Sequence, residues 1–275
     1  MYYPNSIEQK LGFDKIKSIL TELCISTLGR NFVSKMRFAE KFDQVEKMVK
    51  QTAEMKNILS FDSPFPAQNY FDVSNQLNKL SVEGAFLMED DFFELMLSLK
   101  TIQDCVEYLQ KREASQYPNL LELCGLTAEN NLEIKNEKNF EKFEIKKIYH
   151  WISKIIDERG KLKDNASDEL QRIRKAIYSL ENELRKKLDS ILKHARNSGW
   201  ISDDFSLTVR NGRMVIPIAA EHKRKIKGFI HDESDTGKTV FIEPAEILEL
   251  NNEIKELESA ERREIIRILT QLSAQ

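Results

Sequence analysis

Six cations fall within 18 residues: Arg210, Arg213, Lys223, Arg224, Lys225 and Lys227, opposed in that span by Glu221 alone. A local net charge of +5 in a chain whose overall charge is −3 is an arrangement suited to a polyanion. Phosphate binding needs clustered lysines and arginines on a presented surface, and a hairpin with its following loop supplies one. The bland alternative is a solvated loop that keeps a small sheet in water. Placement at the end of a long helical pair favours nucleic-acid contact over that reading. Lys238 is a secondary candidate. No aromatic ladder is interleaved with these cations, so duplex backbone is expected in preference to stacked single strands.

Other chemistries are poorly supported. Thr236-Gly237-Lys238-Thr239 has the look of a phosphate-cradling loop, but the glycine needed five positions before Gly237 is Asp232. Such a loop must also lead from a strand into a helix, whereas this one joins two predicted strands; Gly237 reads as a turn glycine. Asp203-Asp204 and Asp232-Glu233 are turn acids with no third ligand nearby. The four histidines (His150, His194, His222 and His231) lack metal-ligand spacing, and Cys24, Cys105 and Cys124 fit neither a disulfide framework nor a zinc site. No catalytic set, metal site or cofactor is expected within these residues.

The elements that must carry the cations lie on both sides of them. Ser167 is an expected N-cap, with Asp168 and Glu169 in the first turn of a long helix reaching Asn197. Leu170, Ile173, Ile177, Leu180, Leu184, Leu188, Ile191 and Ala195 form its stripe, at an average step near 3.6 that keeps one face aligned on a nearly straight rod. Thirty residues make an arm of about 45 Å. A returning helix from Ala245 offers Ile247, Leu250, Ile254, Leu257, Ile265 and Ile268, interrupted by Glu261.

Between them, Phe205, Leu207 and Val209 alternate with polar residues up to Asn211-Gly212, a two-residue hairpin signal because both positions tolerate positive φ. Met214, Ile216 and Ile218 continue the partner strand, which Pro217 marks as an edge or a bulged strand. Third and fourth strands are predicted over 226–231 and 239–242, and Pro244 opens the returning helix.

The first 160 residues read as helical. Leu11, Phe13, Ile16, Ile19, Leu20 and Leu23, then Val33, Met36, Val45, Met48, Val49, Met55 and Leu59, recur at helical spacing, with divisions expected at Gly29 and around 38–42. A loop over 61–70 precedes helices at 73–80 and 88–111; Tyr117-Pro118 is a helix boundary, and 139–158 is helical again, stopped by Gly160. This predicts a body with its core on several faces. Composition agrees with a helix-rich protein of water, with 41% hydrophobic and 32% charged residues, no apolar run long enough for a bilayer and no export signal.

IDERGKLKDNASDELQRIRKAI and VRNGRMVIPIAAEHKRKIKGFIHDESDTGKTVFIEPAEILELNNEIKELE are similar to segments of the MutS family, in its second bacterial branch, whose members end in a small Smr nuclease domain. HDESDTGKTVFIEP is the most specific stretch; LGFDKIKSILTELCISTLGR and QTAEMKNIL match more loosely. The resemblance implies a mainly α fold: a helical core domain over 1–160, antiparallel lever helices over 161–199 and 244–275, and a small antiparallel β-rich clamp over 200–243. It also implies a cytoplasmic protein whose clamp touches branched duplex DNA such as junctions, in recombination control and repair. The alternative is a clamp that grips ribosomal RNA in the rescue of stalled ribosomes.

ATP and Mg are implied only for an ATPase domain after Gln275, and nuclease activity only for the Smr tail. The 275 residues themselves are expected to be non-catalytic. They are also expected to start directly with the core, without a mismatch-reading domain. Homodimerisation is implied for the full-length protein, with a monomer or weak dimer for these residues.

Overall fold

The computed structural model describes residues 7–37, 39–66, 68–113, 115–124, 145–201 and 206–275. They form two compact units, Met1–Lys163 with Leu269–Gln275, and Asp164–Ile268.

In the first unit α1 (Ile7–Lys10), α2 (Phe13–Leu23), α3 (Thr27–Ser34) and α4 (Phe42–Phe61) come in succession. The break after α2 falls at Cys24–Ser26 and not at Gly29, which lies inside α3. The decisive signal is Ser26, whose hydroxyl accepts from the Gly29 N–H and caps α3. α5 (Ser74–Leu80), α6 (Glu89–Gln110), α7 (Pro118–Leu123) and α8 (Ile145–Ile155) follow. α8 stops five residues short of Gly160; that glycine instead turns the loop at φ 77°, packed against Phe93. The predicted helical residues 139–144 lie outside the described ones.

Ile58, Tyr108, Leu109, Tyr117, Leu120 and Leu121 form a buried cluster joining α4, the end of α6 and α7. At its rim Arg112 grips both Asp62 carboxylate oxygens, at 2.6 and 2.7 Å, while stacking on Tyr108. The expected core on several faces is not what α2, α3 and α4 display. Val33 and Ile58 are their buried residues, whereas Ile16, Ile19, Leu23, Phe32, Met48, Val49 and Leu59 are exposed. Periodicity identifies an apolar face but not what covers it.

The second unit contains α9 (Asp168–Asn197), β1 (Thr208–Arg210), β2 (Arg213–Ala219), β3 (Gly228–Glu233), β4 (Thr239–Pro244) and most of α10 (Leu248–Ser273), which follows a 3₁₀ turn at Ala245–Ile247. The Ser167 hydroxyl accepts from the Leu170 N–H and donates to Glu264 at 2.7 Å. Arg174 donates to Glu261 at 2.7 Å, so the residue that interrupts the apolar stripe of α10 is a polar lock onto α9. At the other end Leu184, Leu188, Leu192 and Ala195 of α9 share a core with Ile216, Ile218, Val240 and Ile242 of the sheet and with Ile247, Leu250 and Ile254. The two helices are therefore antiparallel, zipped by polar contacts at one end and by the sheet's apolar face at the other.

The sheet order is β1-β2-β4-β3, all neighbours antiparallel. Arg210 pairs with Arg213 across a two-residue turn in which Asn211 and Gly212 have φ of 53° and 70°. The predicted strand residue Phe205 lies outside the described ones. Pro217 corrects its prediction in part. β2 is interior, but its pairing with β1 ends at Val215, so at Pro217 it keeps one ladder, to Phe241. The bulge sits in β3 instead, between Ile230 and Asp232. Gly228 is a close approach: a Cβ there would lie 2.1 Å from the Glu243 carbonyl oxygen. Gly228→Ala should therefore destabilise the protein by about 1–3 kcal/mol through forced overpacking, measured as a lower urea midpoint.

Hydrogen bonds, chiefly from Arg267 and then from Ser167, hold the Glu264 carboxyl at about 2, below its usual 4.5. A depressed carboxyl contributes its full stability above about pH 4.5 and loses it as pH falls towards 2. Glu264→Gln should lower stability at pH 7 by about 1 kcal/mol. It should also remove part of the acid-side decline in urea melts taken from pH 7 to 2. Asp62, held low by Arg112, leaves a residual slope in the variant.

Candidate nucleic-acid interface

Strand register sorts the sheet's side chains. Ile216, Ile218, Val240 and Ile242 face the helices, so Pro217, Phe241, Glu243 and Phe229 take the opposite face. On that face Glu243, 1% exposed, is met by three donors. Arg213 Nη1 and Asn251 Nδ2 both lie 2.7 Å from Oε1, and His231 Nε2 is 2.6 Å from Oε2. Arg213 also donates to Asn252 Oδ1 at 2.6 Å. The register shift leaves His231 unpaired with β4 and turns its ring onto Glu243. One carboxylate thus fastens β2, β3, β4 and the start of α10.

Arg213, one of the residues expected to contact phosphate, is thus engaged as a brace between Glu243 and Asn252. Arg210 stands between the two roles: it lies 3.0 Å from Asp232 and stacks on Phe241 with its guanidinium carbon 4.1 Å from the ring centre. Asn211 shapes the turn as expected, and its side-chain amide also donates to the His231 carbonyl at 3.3 Å. Gly212 lies beside Lys255 of α10, so this turn is packed on a helix and is not a free tip.

The remaining expected residues, Lys223, Arg224, Lys225, Lys227 and Lys238, are all exposed, and none makes an ion pair with a described residue. The segment that carries the first four is fixed at both ends. Ala220 N–H donates to the Lys238 carbonyl, which also places Lys238 at its start, and Ala245 N–H donates to the Lys227 carbonyl, both at 2.9 Å. Within it, Lys225 N–H closes a turn onto His222. Ile226 is drawn against the core cluster, which leaves its neighbours Lys225 and Lys227 facing water. The result is a row of exposed cations on an anchored backbone. Gly237, at φ 65°, turns β3 into β4 within a Ser234–Thr239 loop, a strand-to-strand link unlike a phosphate-cradling loop.

Among the described residues no three His, Cys, Asp or Glu side chains gather as a metal site. Asp203-Asp204 lies outside them. Burial pushes the Cys105 and Cys124 thiols up, which disfavours the nucleophilic thiolate. No helix is long and apolar enough to cross a membrane.

No family model matches the chain. Proteins named Endonuclease MutS2 are similar to it, however. That of Alkaliphilus oremlandii is 33% identical over 265 residues, covering 96% of this chain and 31% of the relative. That of Listeria monocytogenes is 33% identical over 268 residues, covering 98% and 32%. That of Exiguobacterium sibiricum is 31% identical over 264 residues, covering 96% and 32%. The chain is MutS2-related. It spans about a third of the length of the curated relatives it matches.

In this MutS2-related chain the stretch HDESDTGKTVFIEP begins at His231 and ends at Glu243-Pro244. Its ends are brought together as the 2.6 Å contact between His231 and Glu243. Sequence reasoning missed that pair, because the two residues are twelve apart and meet only through the β3–β4 pairing. Removing Glu243 strands Arg213 and His231 without their acceptor. Glu243→Ala should cost about 3–5 kcal/mol in urea unfolding.

Proposed function

We propose that this chain is the DNA-gripping portion of a MutS2-type protein. In this reading residues 1–160 are the core, α9 and α10 are levers, and the sheet with its basic segment is the clamp. Lys223, Arg224, Lys225, Lys227 and Lys238 contact phosphates of branched duplex DNA, with Arg210 joining them when it exchanges Asp232 for a phosphate. Chemistry is supplied elsewhere in the full-length protein, by an ATPase domain whose nucleotide state moves the levers, and the cellular role is recombination control and repair.

The observation that carries the reading is the anchored row of exposed cations, without ion pairs to described residues, in a chain of net charge −3. The similarity to MutS2 proteins over 96–98% of the chain adds independent support. A backbone already anchored has little freedom to lose on binding, so the ordering cost falls on the side chains alone.

Replacing Lys223, Arg224 and Lys225 together with Glu should weaken binding to a four-way DNA junction without altering the circular dichroism spectrum. Removing three phosphate contacts should also reduce the slope of log affinity against log salt by about 3. Junction affinity and salt slope equal to those of the unaltered chain would overturn the assignment. Preferential capture of ribosomes over junctions in direct competition would redirect it to RNA.

A further inference from the structure

Phe229 is 58% exposed on the sheet face opposite Ile216, Ile218, Val240 and Ile242. Its cross-strand partner is Glu243, and Phe241 is on the same face of β4, two residues away, so the two positions are diagonal neighbours. Arg210 makes a cation–π contact with Phe241, its guanidinium carbon 4.1 Å from the ring centre. Lys227, the last cation of the anchored segment, is two residues before Phe229, about 7 Å along an extended chain.

An exposed aromatic ring beside ordered cations has the composition of a nucleotide-stacking platform. The cations hold the phosphodiester, and the ring takes a base whose own partner is missing. A fully paired duplex offers phosphates but no free base face. The geometry points to Phe229, supported by the Phe241–Arg210 stack, as a contact for an unpaired DNA base at a gap or branch point. This rests on the clamp reading above and deepens it: the cations supply general affinity, and the aromatic pair supplies preference for interrupted duplexes. The sequence alone suggested duplex backbone, because neither phenylalanine falls within 210–227; the sheet order brings them to the same surface.

The test uses the 275-residue chain and a duplex carrying a five-nucleotide single-stranded gap with 2-aminopurine at its centre. The unaltered protein should quench the probe on binding. Phe229→Ala should abolish the quench and weaken gapped-DNA binding roughly tenfold, with intact-duplex affinity unchanged, and Phe229→Tyr should restore both. Exposure of the ring means that the alanine variant should keep its unfolding midpoint. If Phe229→Ala binds and quenches like the unaltered protein while the Lys223, Arg224 and Lys225 triple variant loses binding, the stacking site is wrong and the clamp reading stands. If neither variant changes binding, both are wrong. Equal losses on gapped and intact duplex, or a larger loss with ribonucleotides in the gap, would also overturn the assignment to unpaired DNA.

Discussion

A carboxylate buried inside a small sheet is tolerable only if its charge is answered there, and Glu243 is the constraint on which the second unit depends. Placing an ion in that environment costs several kcal/mol before pairing. Arg213, Asn251 and His231 return it with three short hydrogen bonds, one from a permanent cation. Each donor comes from a different element, so the requirement to satisfy one side chain fixes β2, β3 and α10 relative to β4. At the bulge His231 is outside the β3–β4 pairing, on the face that also carries Phe229 and Glu243, where its ring meets the carboxylate.

That constraint explains how so small a sheet can present a charged surface. Four short strands bury limited apolar area, and their helix-facing side is secured by isoleucines and valines packed on α9 and α10. On the opposite face Val215, Pro217 and Glu243 are buried as well, and Glu243 ties that face to its surroundings. With both faces fixed, the segment after β2 can be tied at Lys238 and Lys227 through backbone hydrogen bonds alone. Its lysine and arginine side chains form no ion pair with the described residues. Structural cations and available cations are thereby separated: Arg213 belongs to the first kind, Lys223, Arg224, Lys225, Lys227 and Lys238 to the second, and Arg210 stands between.

Features governed by local chemistry were legible in the sequence. Ser167 reads as a cap because a hydroxyl before an apolar stripe has one job, and Asn211-Gly212 reads as a turn because few other pairs accept positive φ twice. The long helices follow from their period. What escaped is what depends on partners distant in sequence. Glu261 looked like a flaw in a stripe until Arg174 appeared opposite it. Gly228 gave no sign that β4 passes within contact of its α-carbon. The exposed apolar faces of α2 and α4 look in sequence like core faces, since amphipathicity records a preference and not its satisfaction. For the candidate interface, charge density picks out a segment, but it could not tell that Arg213 is bonded to Glu243 and Asn252.

The central claim is that an anchored basic segment on a Glu243-braced sheet is where the polyanion is held. Hydrogen–deuterium exchange of the chain with and without a four-way DNA junction tests it most directly. The account predicts new protection at the backbone amides of 220–229 and 237–240, with little change across α6. Protection confined to the first unit, with those sheet amides exchanging as in the free protein, would contradict it.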